Sequence, residues 1–179
     1  KKIITTFIPV SPNDLTNKEY VDSVFGGAKQ TKNNVGHIPT LFKSAIGFEV
    51  SASSFYPENS PYYAFSDRHE WTTNGEVENF WIQIKCPTSV AIWQFHLRSR
   101  LNSSVGRIYD WKLEGSNDDI DWTTLYSTTD TYISTTQYFT IPTENTVNKY
   151  LYFRVNVLAT EHPFSGLTAF QIYTLDDQI

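Results

Sequence analysis

Methionine is absent from this 179-residue sequence, and cysteine occurs once, at Cys86. A lone cysteine closes no intrachain disulfide, which sets aside the disulfide-stapled secreted module. Cys86 reads instead as a small buried hydrophobe within a strand. The missing methionine extends to position 1, so the chain is expected to be an internal piece or a processed product. Charge is also scarce, at 18% of residues, and 14 Lys and Arg against 19 Asp and Glu leave a net charge of -5. That balance works against nucleic-acid phosphates and anionic membranes, which attract basic surfaces, and favours neutral partners. No apolar run approaches the roughly 20 residues of a membrane helix. The stretch after Lys1-Lys2 is too short for a signal peptide. The expectation is therefore no nucleic-acid partner and no membrane insertion.

Catalytic motifs are missing as well. There is no Gly-x-Ser-x-Gly elbow, no His-Glu-x-x-His, no phosphate-binding glycine loop and no paired-cysteine metal site. Glu76 with Glu78, and Asp118 with Asp119 and Asp121, are carboxylate clusters of the kind a glycosidase pairs. Both fall in turn-forming stretches, where solvated acids are the ordinary case. His37, His69, His96 and His162 are too scattered to read as a metal set. Asn102-Ser103-Ser104 is a glycosylation sequon by pattern, relevant only on a secretory route.

What the chain has in quantity is apolar and aromatic side chains, 40% and 16% of residues. That suits one tightly packed core and not a disordered chain. Two compositions meet near Phe48. Residues 1–47 mix Lys, Asn, Gly and Thr, and within them SPNDLTNKEYVDSVF predicts a short helix over about 14–25. Asn13 or Asp14 can cap it, Thr16 and Glu19 have capping-box spacing, and Gly26-Gly27 ends it. Its apolar stripe is Tyr20, Val21, Val24 and Phe25. So short a helix is marginal alone in water and needs a surface to pack on.

Residues 48–179 alternate with a period of two. FWIQIK places Phe80, Ile82 and Ile84 on one face, and AIWQFHLRSR places Trp93, Phe95 and Leu97 opposite Gln94, His96 and Arg98. IYDWKLEG turns Tyr109, Trp111 and Leu113 inward. YLYFRVNVL does the same with Leu151, Phe153, Val155 and Val157, against Tyr150, Tyr152, Arg154 and Asn156. Asn74-Gly75 is a hairpin-turn dipeptide, and SNDDIDW supplies side chains that bond their own backbone in a tight turn. Short strands at this spacing without intervening helices predict an all-β antiparallel sandwich or jelly roll.

The order of these pieces, from FEVSASSFYPENSPYYAFSDRHEWTT through FWIQIK, SVAIWQFHLRSR, GRIYDWKLEGSNDDIDWTTLY, KYLYFRVNV and SGLTAFQIY, resembles the discoidin family. That family is also called the coagulation factor 5/8 type C domain, and is related to the family 32 carbohydrate-binding modules. The stretch from Gly106 through Trp122 is the most specific part. The resemblance implies an eight-stranded jelly roll of the galactose-binding-domain type, non-catalytic, with ligand loops at one end: Ser53 to Tyr63, Asp67 to Trp71, Ser99 to Arg107 and Thr160 to Gly166. Members bind galactose-type sugars, other glycans, phospholipids or proteins, so the fold leaves the ligand class open. The missing disulfide and the acidic balance favour the carbohydrate-binding branch. Many of its members hold a structural calcium. Here Asp67 is the residue placed to ligate one, although a turn-capping aspartate is the plainer reading and the last-strand acid is replaced by Gln171.

A sugar site needs an apolar surface for the pyranose face and polar groups for its hydroxyls. For the first the loops offer Tyr62, Tyr63 and Phe164. For the second they offer His69, Arg98, Arg100, Asn102 and His162, of which His69 and an arginine at the end of HLRSR match sugar-binding positions of the family 32 modules. Arg98 and Arg100 share strand parity, so one can be a surface residue instead, and Phe164 and Tyr63 can equally be packing under a loop. Trp71, Trp93, Trp111 and Trp122 read as core.

PNDLTNKEYVDS resembles a segment recurring in phage tail fibres and fibre-like proteins of large DNA viruses. A trimer would bury Tyr20, Val21, Val24 and Phe25 at its axis, while the alternative is a helix docked on its own sandwich. The expectation is a lectin-like host-attachment domain of a viral or phage fibre or spike, at the virion surface or otherwise extracellular. Its partners would be a cell-surface glycan and further copies of the chain or other virion proteins. The alternative is a structural capsid or fibre jelly roll that contacts proteins and binds no sugar.

Overall fold

The computed structural model describes residues 36–37, 47–66, 69–76, 78–100, 107–129, 133, 136–160 and 162–174. The helix expected over 14–25, with Tyr20, Val21, Val24 and Phe25, lies outside them, as do Asp67 and Asn102.

Among the described residues ten strands follow in order: β1 Gly36–His37, β2 Glu49–Ala52, β3 Trp71–Thr72, β4 Phe80–Val90, β5 Ile92–Ser99, β6 Ile108–Ser116, β7 Thr123–Thr128, β8 Thr136–Thr140, β9 Tyr150–Thr160 and β10 Gly166–Thr174. They form two antiparallel five-stranded sheets. One runs β2-β4-β9-β6-β7, and the other β1-β10-β5-β8 with β3 also paired to β10. The helical content of the described residues is two short 3-10 turns, Pro61–Phe65 and Thr143–Asn145. β1 lies ahead of the composition boundary at Phe48, so the sandwich recruits a strand from the first part of the chain.

The core fills from the inner face of each sheet. Phe80, Ile82 and Ile84 of β4, Phe95 and Leu97 of β5, Trp111 and Leu113 of β6, and Phe153, Val155 and Val157 of β9 are all fully buried, as the alternation predicts. Across the sheets the Trp111 ring meets Phe95 and Phe139 edge to face, with ring centres 5.9 and 4.9 Å apart, joining the two layers. Cys86 is buried in β4 with its thiol unpaired.

Three inward assignments fail where a strand slips register. Between Tyr173 and Thr174 the β10–β5 pairing shifts, so Ile92 enters the core and Trp93 is half-buried beside Tyr173. Irregular pairing of β6 with β9 after Ile108 buries Ile108 and leaves Tyr109 half-exposed. At the start of β9 it is Tyr150 and not Leu151 that turns inward, its ring filling the space left by Gly115. A bulge adds one residue to one strand and so inverts the parity of everything beyond it. Asn74-Gly75 makes a turn, with Gly75 at φ +105, but no hairpin: it carries the chain from β3 in one sheet to β4 in the other. SNDDIDW does close the β6–β7 hairpin, where Asp118 Oδ1 accepts the backbone N–H groups of Ile120 and Asp121 at 3.0 and 2.9 Å.

Candidate functional site

β10 enters its sheet with Gly166 beside Thr72 and Leu167 beside Ser99, which brings Glu70 before β3, Arg100 after β5 and the 162–165 turn before β10 to one end of the sandwich. Backbone bonds fix them. The Tyr56 N–H donates to Thr72 O at 2.8 Å, the Thr73 N–H to Ser165 O at 2.9 Å, and the buried Trp71 indole to Ser54 O at 3.1 Å. Asn59 Nδ2 donates to Thr72 Oγ1 at 2.8 Å. At Gly166 an added Cβ would lie 1.8 Å from the Trp71 carbonyl oxygen, so only glycine allows β10 to start there.

On this scaffold three aromatic rings stand in solvent: Phe55, Tyr56 and Phe164 are 46%, 41% and 40% exposed. Tyr56 and Phe164 meet edge to face, with centres 6.3 Å apart and planes at 84°. Phe164 holds a left-handed backbone, φ +68, which is unfavourable for a bulky residue. Behind it lies Arg100. Its Nη1 donates to Phe164 O and its Nη2 to Glu70 Oε1, each at 2.6 Å, and both side chains of the ion pair are 24% exposed.

The residues expected from sequence divide accordingly. Arg100 and Phe164 come together. His69 packs its ring on Tyr63 with centres 5.1 Å apart, just after the 3-10 turn that also carries Tyr62. Tyr62 and Tyr63 are half-buried, and thus less open than the rings of Phe55 and Tyr56. His162 lies in the Phe164 loop, exposed, with Nδ1 against Pro163 O. Arg98 is drawn back to β10, its Nε donating to Thr168 Oγ1 at 2.9 Å, while Thr168 in turn donates to Ser99 O at 2.7 Å. Phe55, Tyr56 and Glu70 were not singled out from the sequence. The adjacent aromatics of Ser-Phe-Tyr-Pro, in a stretch without alternation, were the available signal for the first two.

Asp67, the residue expected to ligate calcium, lies outside the described residues. Position 171 is a carboxamide, and among the described residues no three His, Cys, Asp or Glu side chains gather as a metal site.

An apolar corner open to solvent, backed by an arginine–carboxylate pair, thus stands at one end of the sandwich. The chain belongs to the F5/8 type C domain family, whose model matches residues 49–169. Comparison with curated protein sequences returned no match. Among solved structures the fold is similar to the family 32 module of C. perfringens NanJ in complex with galactose, at 11% identity and TM-score 0.62, covering 71% of this chain and 93% of that one. It is also similar to CpGH89CBM32-5 of Clostridium perfringens in complex with GalNAc-β-1,3-galactose, at 15% identity and TM-score 0.61, covering 70% and 94%. A third similar structure is chitosan-binding module 2 of a Paenibacillus sp. IK-5 chitosanase/glucanase with chitotriose, at 19% identity and TM-score 0.59, covering 72% and 97%.

Proposed function

We propose that the loop end of this sandwich binds a neutral cell-surface glycan, and that the chain serves as the host-attachment domain of a viral or phage fibre or spike. The observation that carries the glycan reading is the exposed edge-to-face corner of Tyr56 and Phe164, with Phe55 exposed beside Tyr56 in sequence. A pyranose has an apolar face for a ring to cover, and the corner supplies that ring surface. The complexes that the similar modules form with galactose, GalNAc-β-1,3-galactose and chitotriose support the same class of ligand. The fibre context rests on PNDLTNKEYVDS. Trimerisation through Tyr20, Val21, Val24 and Phe25 would raise the effective affinity of a shallow site by multivalency.

A glycan array on the intact chain, followed by calorimetric titration of the best ligand, tests the site. Tyr56→Ala and Phe164→Ala are each expected to weaken binding by about tenfold, equivalent to ~1.4 kcal/mol, with the melting temperature unchanged. Absence of any bound glycan, or full affinity in both variants, would refute the assignment. Sedimentation with and without residues 1–27 tests the assembly: equal mass per particle, allowing for the deletion, would rule out the trimer.

A further inference from the structure

Arg100 was expected from sequence to touch the ligand, but its surroundings indicate a different task. Both of its terminal nitrogens are engaged by protein oxygens at 2.6 Å, and its Nε is buried without a protein partner. One oxygen belongs to the peptide of Phe164, the residue whose backbone is held at φ +68. The other belongs to Glu70, which directly precedes the fully buried Trp71 and is thereby tied to the core. Left-handed backbone costs a non-glycine residue roughly 1 kcal/mol or more, so it persists only where neighbouring contacts impose it. On the far side of Phe164 such contacts exist, since Ser165 O accepts the Thr73 N–H and Gly166 lies against the Trp71 carbonyl. The turn is also closed by Ser165 Oγ, which donates to His162 O at 2.7 Å, and the bond from Arg100 to the Phe164 carbonyl ties the peptide that follows Phe164 to Glu70.

We infer that Arg100 is a positioning residue: anchored by Glu70, it locks the Phe164 peptide in its left-handed conformation and so holds the Phe164 ring edge-on to Tyr56. This inference rests on the glycan-binding reading for its consequence, but not for its geometry. Arginine suits the task because its planar fork reaches two oxygens in fixed directions, which a lysine ammonium on a flexible stem does not. Once Arg100 is lost, the Phe164 peptide is free to relax to negative φ. The ring then leaves the corner, although no atom that contacts sugar has been removed.

The test is a double-mutant cycle with Arg100→Ala, Phe164→Ala and the double variant, read by titration of the array-selected glycan and by native-state amide exchange without ligand. Arg100→Ala is expected to weaken binding about as much as Phe164→Ala, near tenfold, with the double variant no worse than either. The Thr73 amide, which donates to Ser165 O, should exchange faster in Arg100→Ala, while core amides of β5 keep their protection. Arg100→Lys, which keeps charge and bulk, should show the same faster exchange. Additive losses in the double variant, or unchanged exchange at Thr73 in both Arg100 variants, would overturn the proposal. If the unaltered chain binds no glycan, the function proposed above fails, and the exchange measurement decides the role of Arg100 by itself.

Discussion

The guanidinium carbon of Arg154 lies 3.9 Å from the centre of the Trp122 ring, while its Nε donates to Glu114 Oε2 at 2.6 Å. β9 supplies the arginine, β6 the carboxylate opposite it in register, and the β6–β7 turn the tryptophan. Asn156 Nδ2 adds a second bond to the same carboxylate oxygen at 3.2 Å. From that turn Asp119 reaches β4, where its Oδ1 accepts the Gln83 side-chain amide at 3.2 Å. The later part of the stretch that carries the most specific sequence resemblance, residues 114–122, thus closes over the outer face of its sheet.

Glu114 is only 6% exposed, so it depends on its partner. Arg154→Ala leaves that carboxylate buried without its cation and should cost roughly 3 kcal/mol or more in unfolding free energy. Glu114→Gln keeps an acceptor and should cost less. Urea denaturation of both variants checks the order; equal small losses would show that the pair carries little.

Cys86 is 1% exposed, and burial pushes its thiol up to about 12, against an ordinary value of 9.0. The thiolate is the reactive species, so at pH 8 a thiol reagent should label the folded chain only through unfolding. The sign of the stability effect follows. Below about pH 9 both states hold the proton and the contribution is complete. As the pH climbs from there towards 12, only the unfolded thiol ionises and stability declines. Labelling followed against added urea, with rates that track global unfolding, is the expected outcome, and rapid labelling without denaturant would contradict it.

The Asp118 carboxyl is held below its ordinary range by the backbone N–H groups of Asp121 and Ile120 and by the Ser116 hydroxyl. A depressed folded-state value means the contribution is present above the ordinary carboxylate range and disappears as the pH falls through the lowered one. Asp118→Asn keeps an acceptor but no charge. Its stability profile should be flatter than that of the unaltered chain on the acid side, as read by thermal melts from neutral pH downward. Parallel acid limbs would count against a role for this residue.

Two glycines should respond differently to alanine. Gly166→Ala drives a methyl group into the Trp71 carbonyl and should cost several kcal/mol, of the order of 4, or prevent folding. Gly75→Ala meets open space and faces only the penalty of φ +105, of the order of 1 kcal/mol. Comparative melts decide, and a mild Gly166→Ala would mean that β3 and β10 can separate freely.

The sandwich was legible because its strands alternate cleanly: FWIQIK and VNV state their inner faces without help. It ceased to be legible at Trp93, Tyr109 and Tyr150, where pairing with a strand distant in sequence inserts or skips a residue. Asn74-Gly75 correctly marked a turn, but turn chemistry does not tell which sheet the next strand joins. At the ligand end, Arg100 and Phe164 could be named from the resemblance. The Arg100–Glu70 bond spans 30 residues and the Tyr56–Phe164 contact spans loops from opposite ends of the sandwich sequence, so neither leaves a local pattern.

β10 runs from Gly166, under the candidate site, to Thr174, where it pairs with Gly36. Nine residues of extended chain cover roughly 25 Å, so positions 36 and 174 lie together at the end of the strand farthest from the aromatic corner. A bead, fluorophore or sensor surface coupled at that end of the sandwich would leave the corner pointing into solution. The orientation in which the domain is immobilised therefore need not interfere with any of the binding measurements described above.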